Sequence, residues 1–442
     1  MALIAICVWS MVSEINGTLK LARTLTQAGH RVCYMGIPDC RSIIEENSFD
    51  FVPVLERWLP AGSVDDERFY KLARLRERRR IVHAIRRKLR FERVLRELLR
   101  NRDNDIEKAF RRLKPDLVII GTHTPHAHIF SFIAARLGIR CAYLTQQMFY
   151  TPAPTALDPP TKVPLRHSLK NLYDRIAFRC SNINYDRFFE AFLDATGLPQ
   201  HQLNPNNGRY PLRAPILYSW PSPFELSGTA RESVLRIETG AQLDRYENTT
   251  LLNDLETRSA LIYCSFGTLL PLGLEPTRAL LKVVIGSMHE MPDVQMVLTL
   301  GPYFKVSEFD NVPANVKLCS WTSQVSILKR SDVVITNGGS ATVSECLLLG
   351  IPMIVIPLGY ESAEYAKRVA HHQLGFNVDY RNLSDVQMSA LIRALLADTK
   401  YKQAAMLMKA SIEKWERCKP SLKAIDICLG TGRPREFAIA IP

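Results

Sequence analysis

The chain has 442 residues, of which 47% are hydrophobic and 23% are charged, a composition typical of soluble globular proteins. This length exceeds what one compact core accommodates, so we expect two domains. The net charge of +13 comes from one stretch, residues 68–114, which holds 19 Lys or Arg and 6 Asp or Glu, and the rest of the chain is neutral.

The hydropathy and cysteine patterns indicate the compartment. No apolar run reaches the roughly 18 residues that a membrane span needs. The first residues, MALIAICVWSM, lack a basic region and a small-residue cleavage site, so we expect a strand there and no signal peptide. The ten cysteines show no C-x-x-C and no paired Cys/His spacing, which disfavours a zinc site and favours free thiols in a reducing compartment. We therefore expect a cytoplasmic protein.

The first 150 residues alternate between apolar runs typical of strands and segments with helical periodicity. The predicted strands are ALIAICVW, RVCYMG, PDLVIIGT and IRCAYLT. The predicted helices are residues 17–28, ending at Gly29, and the segment AHIFSFIAARLG. This alternation predicts a parallel sheet with helices on both faces.

Residues 68–114 form a strongly basic segment with helical spacing. Its apolar positions recur near the helical repeat, which predicts one or two amphipathic helices. These positions are Leu75, Ile81, Ile85, Leu89, Val94 and Leu98. Such a helix suits a peripheral membrane surface or an anionic partner, whereas the alternative is a solvated face that serves only solubility. Nucleic acid is disfavoured as a partner, because no aromatic residues are interleaved with the charges.

The second half of the chain repeats the alternation. Residues 149–253 are less regular, and we expect them to complete a first domain, residues 1–235, and to lead to a linker, residues 236–258. A second domain is expected over residues 259–409, with strands SALIYCSFGT, VQMVLTLG, NVKLCSW, DVVIT and PMIVIP. The predicted fold is α/β, with two doubly wound Rossmann-like domains facing a central cleft. In such sheets ligands bind at the carboxyl ends of the strands.

The most informative segment, residues 320–361, places a glycine-rich turn between a strand and a helix. The strand DVVIT runs into NGGS, residues 337–340, and such a turn presents backbone N–H groups to phosphate at a helix N-terminus. Trp321 precedes the turn by 16 residues and can stack on a base. Glu345, on the next helix, can accept hydrogen bonds from ribose hydroxyls. A further strand then ends in a predicted loop with Glu361. Together these positions predict a nucleotide diphosphate site.

These residues carry a family resemblance. The chain, most strongly over residues 259–380, resembles the nucleotide-sugar-dependent glycosyltransferases of the GT-B fold, in the branch that includes macrolide, zeaxanthin and plant UDP-sugar glycosyltransferases. That family shares W-x-x-Q, H-x-G with a Glu eight residues after the His, G-x-P and P-x-x-x-D-Q. The matching positions are Trp321, Gln324, Gly339, Glu345, Gly350, Pro352 and Pro357. The N-terminal half is similar to the family more weakly, through SEINGTLKLARTLTQAGHRV.

The resemblance implies an inverting transfer of a sugar from a nucleotide diphosphate, of UDP or dTDP type, to an acceptor. It implies that the first domain binds the acceptor, that no separate cofactor is needed, and that a last helix near residues 410–429, within a segment 410–442, returns to the first domain. The expected acceptor is the hydroxyl of a small apolar natural product or lipid. The residues expected at the donor are Ser265, Thr268, Trp321, Gln324, Asn337, Gly338, Gly339, Ser340, Thr342, Glu345, Glu361 and Ser362.

Several family positions are changed in this chain. The acceptor base, a His in the family, aligns with Glu14 in the predicted first loop, and its supporting Asp aligns near Gly121. The phosphate-contacting His is replaced by Asn337, and the sugar-binding Asp-Gln is replaced by Glu361 and Ser362. A Glu can act as the base without an Asp partner, because it has no imidazole ring to be oriented.

Alternatives stay open at this point. His123, directly after the strand PDLVIIG, is a second candidate for the base or for an acceptor contact, and the three histidines at 123, 126 and 128 are poorly spaced for a metal. The changed positions also fit an unusual donor, such as a sugar phosphate without a nucleotide. They also fit a non-catalytic homologue that binds or activates another transferase, since fold does not decide function.

Overall fold

A computed structural model describes residues 1–9, 12–63, 103–122, 127–147, 210–226, 234–244, 259–267 and 273–431, together with residues 82, 86, 89, 93, 94, 97, 98 and 101. Predictions for His123, Thr268, Leu75, Ile81 and Ile85 lie outside these residues, as do most of the predicted linker and the last eleven residues. The described part contains two parallel sheets, as the two alternating series predicted.

The first sheet has seven parallel strands in the order β3-β2-β1-β4-β5-β6-β7. The strands are β1 Leu3–Cys7, β2 Arg31–Gly36, β3 Asp50–Pro53, β4 Leu117–Gly121, β5 Arg140–Thr145, β6 Ile216–Tyr218 and β7 Leu235–Arg236. The central strands β1 and β4 are almost entirely buried apolar runs, as expected for a parallel sheet covered on both faces. The strand order reverses between β1 and β4, which creates a crevice at their carboxyl ends.

The described helices of this half are α1 Val12–Gln27, α2 Arg41–Glu46, α3 Asp105–Leu113 and α4 His128–Arg136. The prediction that the first helix begins at residue 17 was wrong, because α1 begins at Val12. Glu14 therefore lies in the first turn of a helix and not in a loop. An acidic side chain there interacts favourably with the N-terminal end of the helix dipole.

The second sheet has six parallel strands in the order β10-β9-β8-β11-β12-β13. The strands are β8 Ala260–Ser265, β9 Val294–Thr299, β10 Val316–Cys319, β11 Val333–Thr336, β12 Met353–Val355 and β13 Gly375–Asn377. The order reverses between β8 and β11, in the same way as in the first sheet. Ser265 lies opposite Thr336 across this reversal, so the turns that follow these two strands are neighbours.

The helices of the second half are α5 Leu274–Gly286, α6 Gln324–Leu328, α7 Ser340–Leu349, α8 Tyr360–His371, α9 Asp385–Ala397, α10 Thr399–Glu416 and α11 Pro420–Cys428. Two predictions are corrected here. Glu361 lies in the first turn of α8 and not in a loop. The single last helix is in fact two, because Lys419 has a left-handed backbone conformation (φ 44°) and Pro420 lacks the N–H that a continuous helix requires.

The last helix packs on the first sheet. Ala424, Ile425 and Cys428 of α11 belong to the same buried core as β1, β4 and β5. Just before it, Glu416 of α10 accepts a hydrogen bond from Lys20 on α1 at 2.7 Å and one from the Thr239 N–H at 2.9 Å. The end of the chain is thus attached to the first half by apolar packing and by charged hydrogen bonds.

The basic segment is helical at the positions that the structure describes between residues 82 and 98. Val94 and Leu98 are buried in the first core, which agrees with the predicted amphipathic spacing. Leu89, however, is 58% exposed, so the apolar stripe does not pack on the core along its full length. Among the described residues, the helices are all too short or too polar to cross a membrane.

Candidate functional site

The glycine-rich turn at residues 337–340 follows β11 at the reversal of the second sheet. The Gly338 N–H donates to Thr336 Oγ1 and the Gly339 N–H donates to Asn337 Oδ1, both at 3.2 Å. Gly338 has φ 79°, and a Cβ there would lie 2.8 Å from Val355 Cγ1, so only glycine fits. Gly339 caps α7 and has no side chain to accept the first N–H groups of the helix. The N-terminal end of α7 therefore offers its first backbone N–H groups and its positive dipole to an anion.

Two other strand ends adjoin this turn. A Cβ on Gly267, after β8, would lie 3.8 Å from Asn337 Nδ2, and a Cβ on Gly301, after β9, would lie 3.1 Å from the Gly267 carbonyl oxygen. Ser265 is buried, and its Oγ accepts from the Gly267 N–H at 3.3 Å. Sequence reasoning missed Gly267 and Gly301. The available signal was a glycine within two residues of the end of each apolar strand.

Gln324, Thr342 and Glu345 form one hydrogen-bonded group beside the turn. Gln324 Nε2 donates to Glu345 Oε2 at 2.6 Å and to Thr342 Oγ1 at 3.2 Å. Glu345 is buried on α7. Its carboxylate is held in place by the Gln324 amide. Tyr263 lies behind the group, with its hydroxyl 3.4 Å from Gln324 Oε1.

Trp321 lies just past the end of β10, three residues before Gln324. Its side chain is 61% exposed, although an indole of this size is usually mostly buried. Trp321 therefore does not fill a core position. An exposed indole next to the group around Gln324 offers a flat surface for a planar ring.

Glu361 and Ser362 lie at the start of α8, and Ser362 lies against the glycine-rich turn. A Cβ on Gly338 would be 3.2 Å from the Ser362 carbonyl oxygen. The Tyr365 hydroxyl, one helical turn after Glu361, lies 2.8 Å from Glu361 Oε1. The predicted donor residues from Gln324 to Ser362 thus converge, whereas Thr268 lies outside the described residues.

Glu14 lies at the corresponding reversal of the first sheet. It is 1% exposed, and its Oε2 accepts from the Trp9 N–H at 3.3 Å. A Cβ on Gly121, at the end of β4, would lie 2.9 Å from Glu14 Cδ and closer still to its Oε1. The Glu14 carboxylate therefore occupies the space that a side chain at position 121 would fill. The two positions that the sequence singled out separately are in direct contact.

The Cys40 thiol is a further neighbour of this carboxylate. Burial raises the pKa of Cys40 to about 12, and the Glu14 and Asp39 carboxylates add to the increase. Cys40 therefore remains a thiol at neutral pH, and its Sγ–H donates to the Trp9 carbonyl oxygen at 3.3 Å. A protonated thiol of this kind is not a nucleophile, whereas a carboxylate such as Glu14 can exchange a proton.

Gln146, directly after β5, connects the two sites. Its side-chain Nε2 donates to the Glu14 backbone carbonyl oxygen at 3.4 Å. The backbone carbonyl oxygen of Gln146 lies 3.0 Å from the Tyr365 hydroxyl. Gly17 makes this possible, because a Cβ there would overlap the Gln146 amide. Sequence reasoning did not identify Gln146 or Tyr365.

His123, the second candidate for the base, lies outside the described residues. Within the part of the chain that the structure describes, no group of three His, Cys, Asp or Glu side chains is arranged to hold a metal ion.

Comparison with known proteins agrees with the fold. Residues 265–425 match the model of the family described as UDP-glucoronosyl and UDP-glucosyl transferase. The Bacillus subtilis (strain 168) protein named "Uncharacterized UDP-glucosyltransferase YojK" is 28% identical over 121 residues. That match covers 27% of this chain and 30% of the relative, so it spans less than a third of the relative's length.

Two solved structures match over nearly the whole chain. The glycotransferase of kitacinnamycin has a TM-score of 0.66 at 18% identity and is covered to 99%, with 97% of this chain aligned. The glycosyltransferase VinC in complex with DTDP has a TM-score of 0.62 at 15% identity and is covered to 100%, with 96% of this chain aligned. At these identities the likeness shows the fold. The expected resemblance and the expected GT-B architecture are both confirmed.

Proposed function

We propose that the chain is an inverting glycosyltransferase that moves a sugar from a nucleotide diphosphate sugar to a hydroxyl of a small apolar natural product or lipid. The observation that carries this proposal is the position of two groups of residues: the predicted donor residues around the turn at 337–340, and Glu14 with Gly121. Each lies at the reversal of strand order in its own sheet, where doubly wound sheets bind ligands, and Gln146 and Tyr365 connect them.

The second sheet binds the donor in this proposal. Trp321 stacks on the nucleobase, which is worth about 1–3 kcal/mol in related stacking contacts. Glu345, oriented by Gln324, accepts hydrogen bonds from the ribose hydroxyls. The diphosphate lies against the turn at 337–340, with hydroxyls from the neighbouring Ser265, Ser340 and Thr342. Glu361 and Ser362 contact the sugar, because they lie at the start of α8, where Ser362 adjoins Gly338 of that turn.

Glu14 acts as the general base. The acceptor O–H gives its proton to the Glu14 carboxylate while the acceptor oxygen forms a bond to the anomeric carbon. The bond from that carbon to the phosphate oxygen breaks on the opposite face, and its electron pair leaves with the diphosphate. Because Glu14 is buried, the acceptor hydroxyl must enter the contact between α1 and β4 to reach it.

The leaving diphosphate is stabilised mainly by dipoles. Asn337 replaces a His in the family's motif, so it supplies an amide without a positive charge. The N-terminal end of α7, with its first backbone N–H groups, then provides most of the electrostatic stabilisation. Such preorganised donors are well suited to a charge that develops only during the reaction.

Two further assignments belong to this proposal. The acceptor class is supported by the structural relative described as the glycotransferase of kitacinnamycin, and the nucleotide class by VinC, whose structure is a complex with DTDP. A peripheral membrane or anionic partner is supported by the basic segment, where Val82, Arg86, Leu89 and Arg93 are all exposed at helical positions. No separate cofactor is required by this chemistry.

A thermal-shift titration tests the donor site. Purified protein is titrated with UDP, dTDP and GDP, and with their glucose conjugates, beside Trp321→Ala. We expect one nucleotide to raise the unfolding temperature as its concentration increases. Ligand binding should stabilise the folded state by about 2.7 kcal/mol when the nucleotide concentration is 100 times Kd. The increase should be lost in Trp321→Ala. The absence of any nucleotide shift in the wild type would contradict the proposal.

Glu14→Gln tests the base. We expect transfer from the nucleotide sugar to lose about 10²–10⁴-fold in kcat, while nucleotide binding is unchanged, because an amide cannot take the proton. Glu45→Gln, an exposed carboxylate on α2, is the control and should retain full activity.

The burial of Glu14 favours a second candidate, a non-catalytic homologue that binds nucleotide. A wild type that binds nucleotide, transfers no sugar to a panel of acceptors, and gains transfer as Glu14→His would support this candidate over the enzyme.

A further inference from the structure

Tyr365 links the start of α8 to the first sheet. Its side chain is completely buried, and its hydroxyl lies 2.8 Å from Glu361 Oε1 and 3.0 Å from the Gln146 carbonyl oxygen. Glu361 belongs to the second half of the chain, whereas Gln146 follows β5 of the first sheet. One hydroxyl therefore contacts an acidic residue of one domain and the backbone of the other.

Aromatic packing determines where this hydroxyl lies. The Tyr365 ring is 4.9 Å from the Trp220 ring, and Trp220 in turn stacks on Phe224 with centroids 5.6 Å apart. All three side chains are fully buried. The Trp220 Nε1–H also donates to the Gln146 carbonyl oxygen. This packing fixes the Tyr365 ring, so its hydroxyl stays between Glu361 and the Gln146 carbonyl oxygen.

The hydroxyl has one proton for two acceptors. The Gln146 carbonyl already accepts from Trp220, and a hydrogen bond to an ionised carboxylate is stronger than one to a neutral carbonyl. Tyr365 therefore donates to Glu361. A carboxylate accepts several hydrogen bonds, so sugar hydroxyls can donate to Glu361 while Tyr365 keeps its own hydrogen bond to it.

We propose that Tyr365 is a positioning residue that holds the Glu361 carboxylate toward the first domain, in the orientation that receives the sugar of the donor. This inference rests on the proposed function, because it assumes that Glu361 contacts the sugar. Gln146 also donates to the backbone of Glu14. The sugar-binding carboxylate and the base are thereby positioned relative to the same residue of the first sheet.

Tyr365→Phe tests the inference, because it removes the hydroxyl and keeps the ring against Trp220. Calorimetry compares UDP and dTDP with UDP-glucose and dTDP-glucose. We expect affinity for the nucleotide alone to stay within about twofold, while affinity for the sugar conjugate falls about 10–100-fold, as for the loss of one hydrogen bond to a charged group. Tyr34→Phe is the matched control, since it removes a buried hydroxyl bonded to Thr18 at 2.8 Å, away from the donor.

A double-mutant cycle with Glu361→Ala separates positioning from a general structural effect. In the Glu361→Ala background, Tyr365→Phe should change the sugar-conjugate affinity by less than about twofold.

The wild type, the two single variants and the double variant can also be unfolded by denaturant without nucleotide. Their free energies of unfolding should be non-additive, because the two side chains share a hydrogen bond. Additive stabilities would overturn the inference whether or not the protein binds a nucleotide sugar. Equal losses of affinity for UDP and UDP-glucose would overturn it as well. Failure of the wild type to bind any nucleotide would instead contradict the proposed function.

Discussion

Glu14 and Gly121 show that a change at one position can be interpreted only together with the residue that it contacts in the folded protein. In the family's motif these positions hold a His and an Asp, and the chain could have lost both independently. The structure instead places the Glu14 carboxylate where a side chain at 121 would begin. Losing the second side chain makes room for the first, so the two changes form one physical arrangement.

Gly121→Ala should therefore disturb Glu14. The added methyl group would lie 2.9 Å from Glu14 Cδ and would overlap Oε1, so the carboxyl must move. We expect kcat for sugar transfer to fall on the order of 10²-fold, as for a catalytic group displaced by about 1 Å, with nucleotide affinity unchanged. Steady-state kinetics with the donor found by thermal shift would measure this.

Gly286→Ala provides the matched control for that substitution. Its new Cβ would meet only ordinary contacts, 3.4 Å from Asp385 Cβ, at the end of α5. Its kcat should equal that of the wild type. Full activity in Gly121→Ala would show that the contact with Glu14 has no role in the reaction.

At the scale of elements, the strands were predicted more accurately than the helix ends. RVCYMG coincides with β2, and DVVIT exceeds β11 by one residue, because an apolar run identifies a buried strand directly. The starts of α1 and α8 were missed. At α8 the sequence gives no strong N-cap signal, because Gly359 caps the helix without a side-chain hydrogen bond. Both corrected starts carry a proposed functional carboxylate.

A buried ion-pair network anchors α8. Arg368 is 1% exposed and donates at 3.0 Å to Glu364 on the same helix and to Glu225 before the predicted linker. Glu225 also accepts from Arg236 and from the Tyr218 hydroxyl. Burial raises the pKa of Glu225, but the Arg368 and Arg236 guanidinium groups outweigh burial, so that the pKa lies below its usual value. The network holds the helix that carries Glu361.

Arg368→Met should lower the free energy of unfolding by about 3–5 kcal/mol at neutral pH, because it leaves Glu225 and Glu364 buried without this partner. A carboxyl with a lowered folded pKa contributes stability above its unfolded pKa and loses it as pH falls through the folded pKa. The difference between wild type and variant should therefore shrink below pH 4.5. Urea unfolding across this pH range measures it.

The surface pair of Arg381 and Asp379 supplies the comparison. Its arginine side chain is 73% exposed, so Arg381→Met should leave the free energy of unfolding close to that of the wild type. Equal effects of the two substitutions would contradict the anchoring role of Arg368.

At the scale of the whole molecule, the chain joins its halves in ways that local patterns do not reveal. The helix α11 completes the first core, and Glu416 bonds to Lys20 and Thr239. The return of the last helix was implied by the family resemblance alone. Its break at Lys419 and Pro420 had a visible signal in the proline, which the helical periodicity around it obscured.

The sequence by itself determined the two α/β series, the glycine turn at 337–340 and the grouping of Trp321, Gln324 and Glu345. These features depend on hydrophobic periodicity, turn chemistry and spacing within one short segment, all of which are local properties. Only the tertiary structure decided that Glu14 fills the space at Gly121 and that Tyr365 reaches Gln146. Those contacts join residues far apart in the chain, and they form only when packed elements bring strand ends and helix starts together.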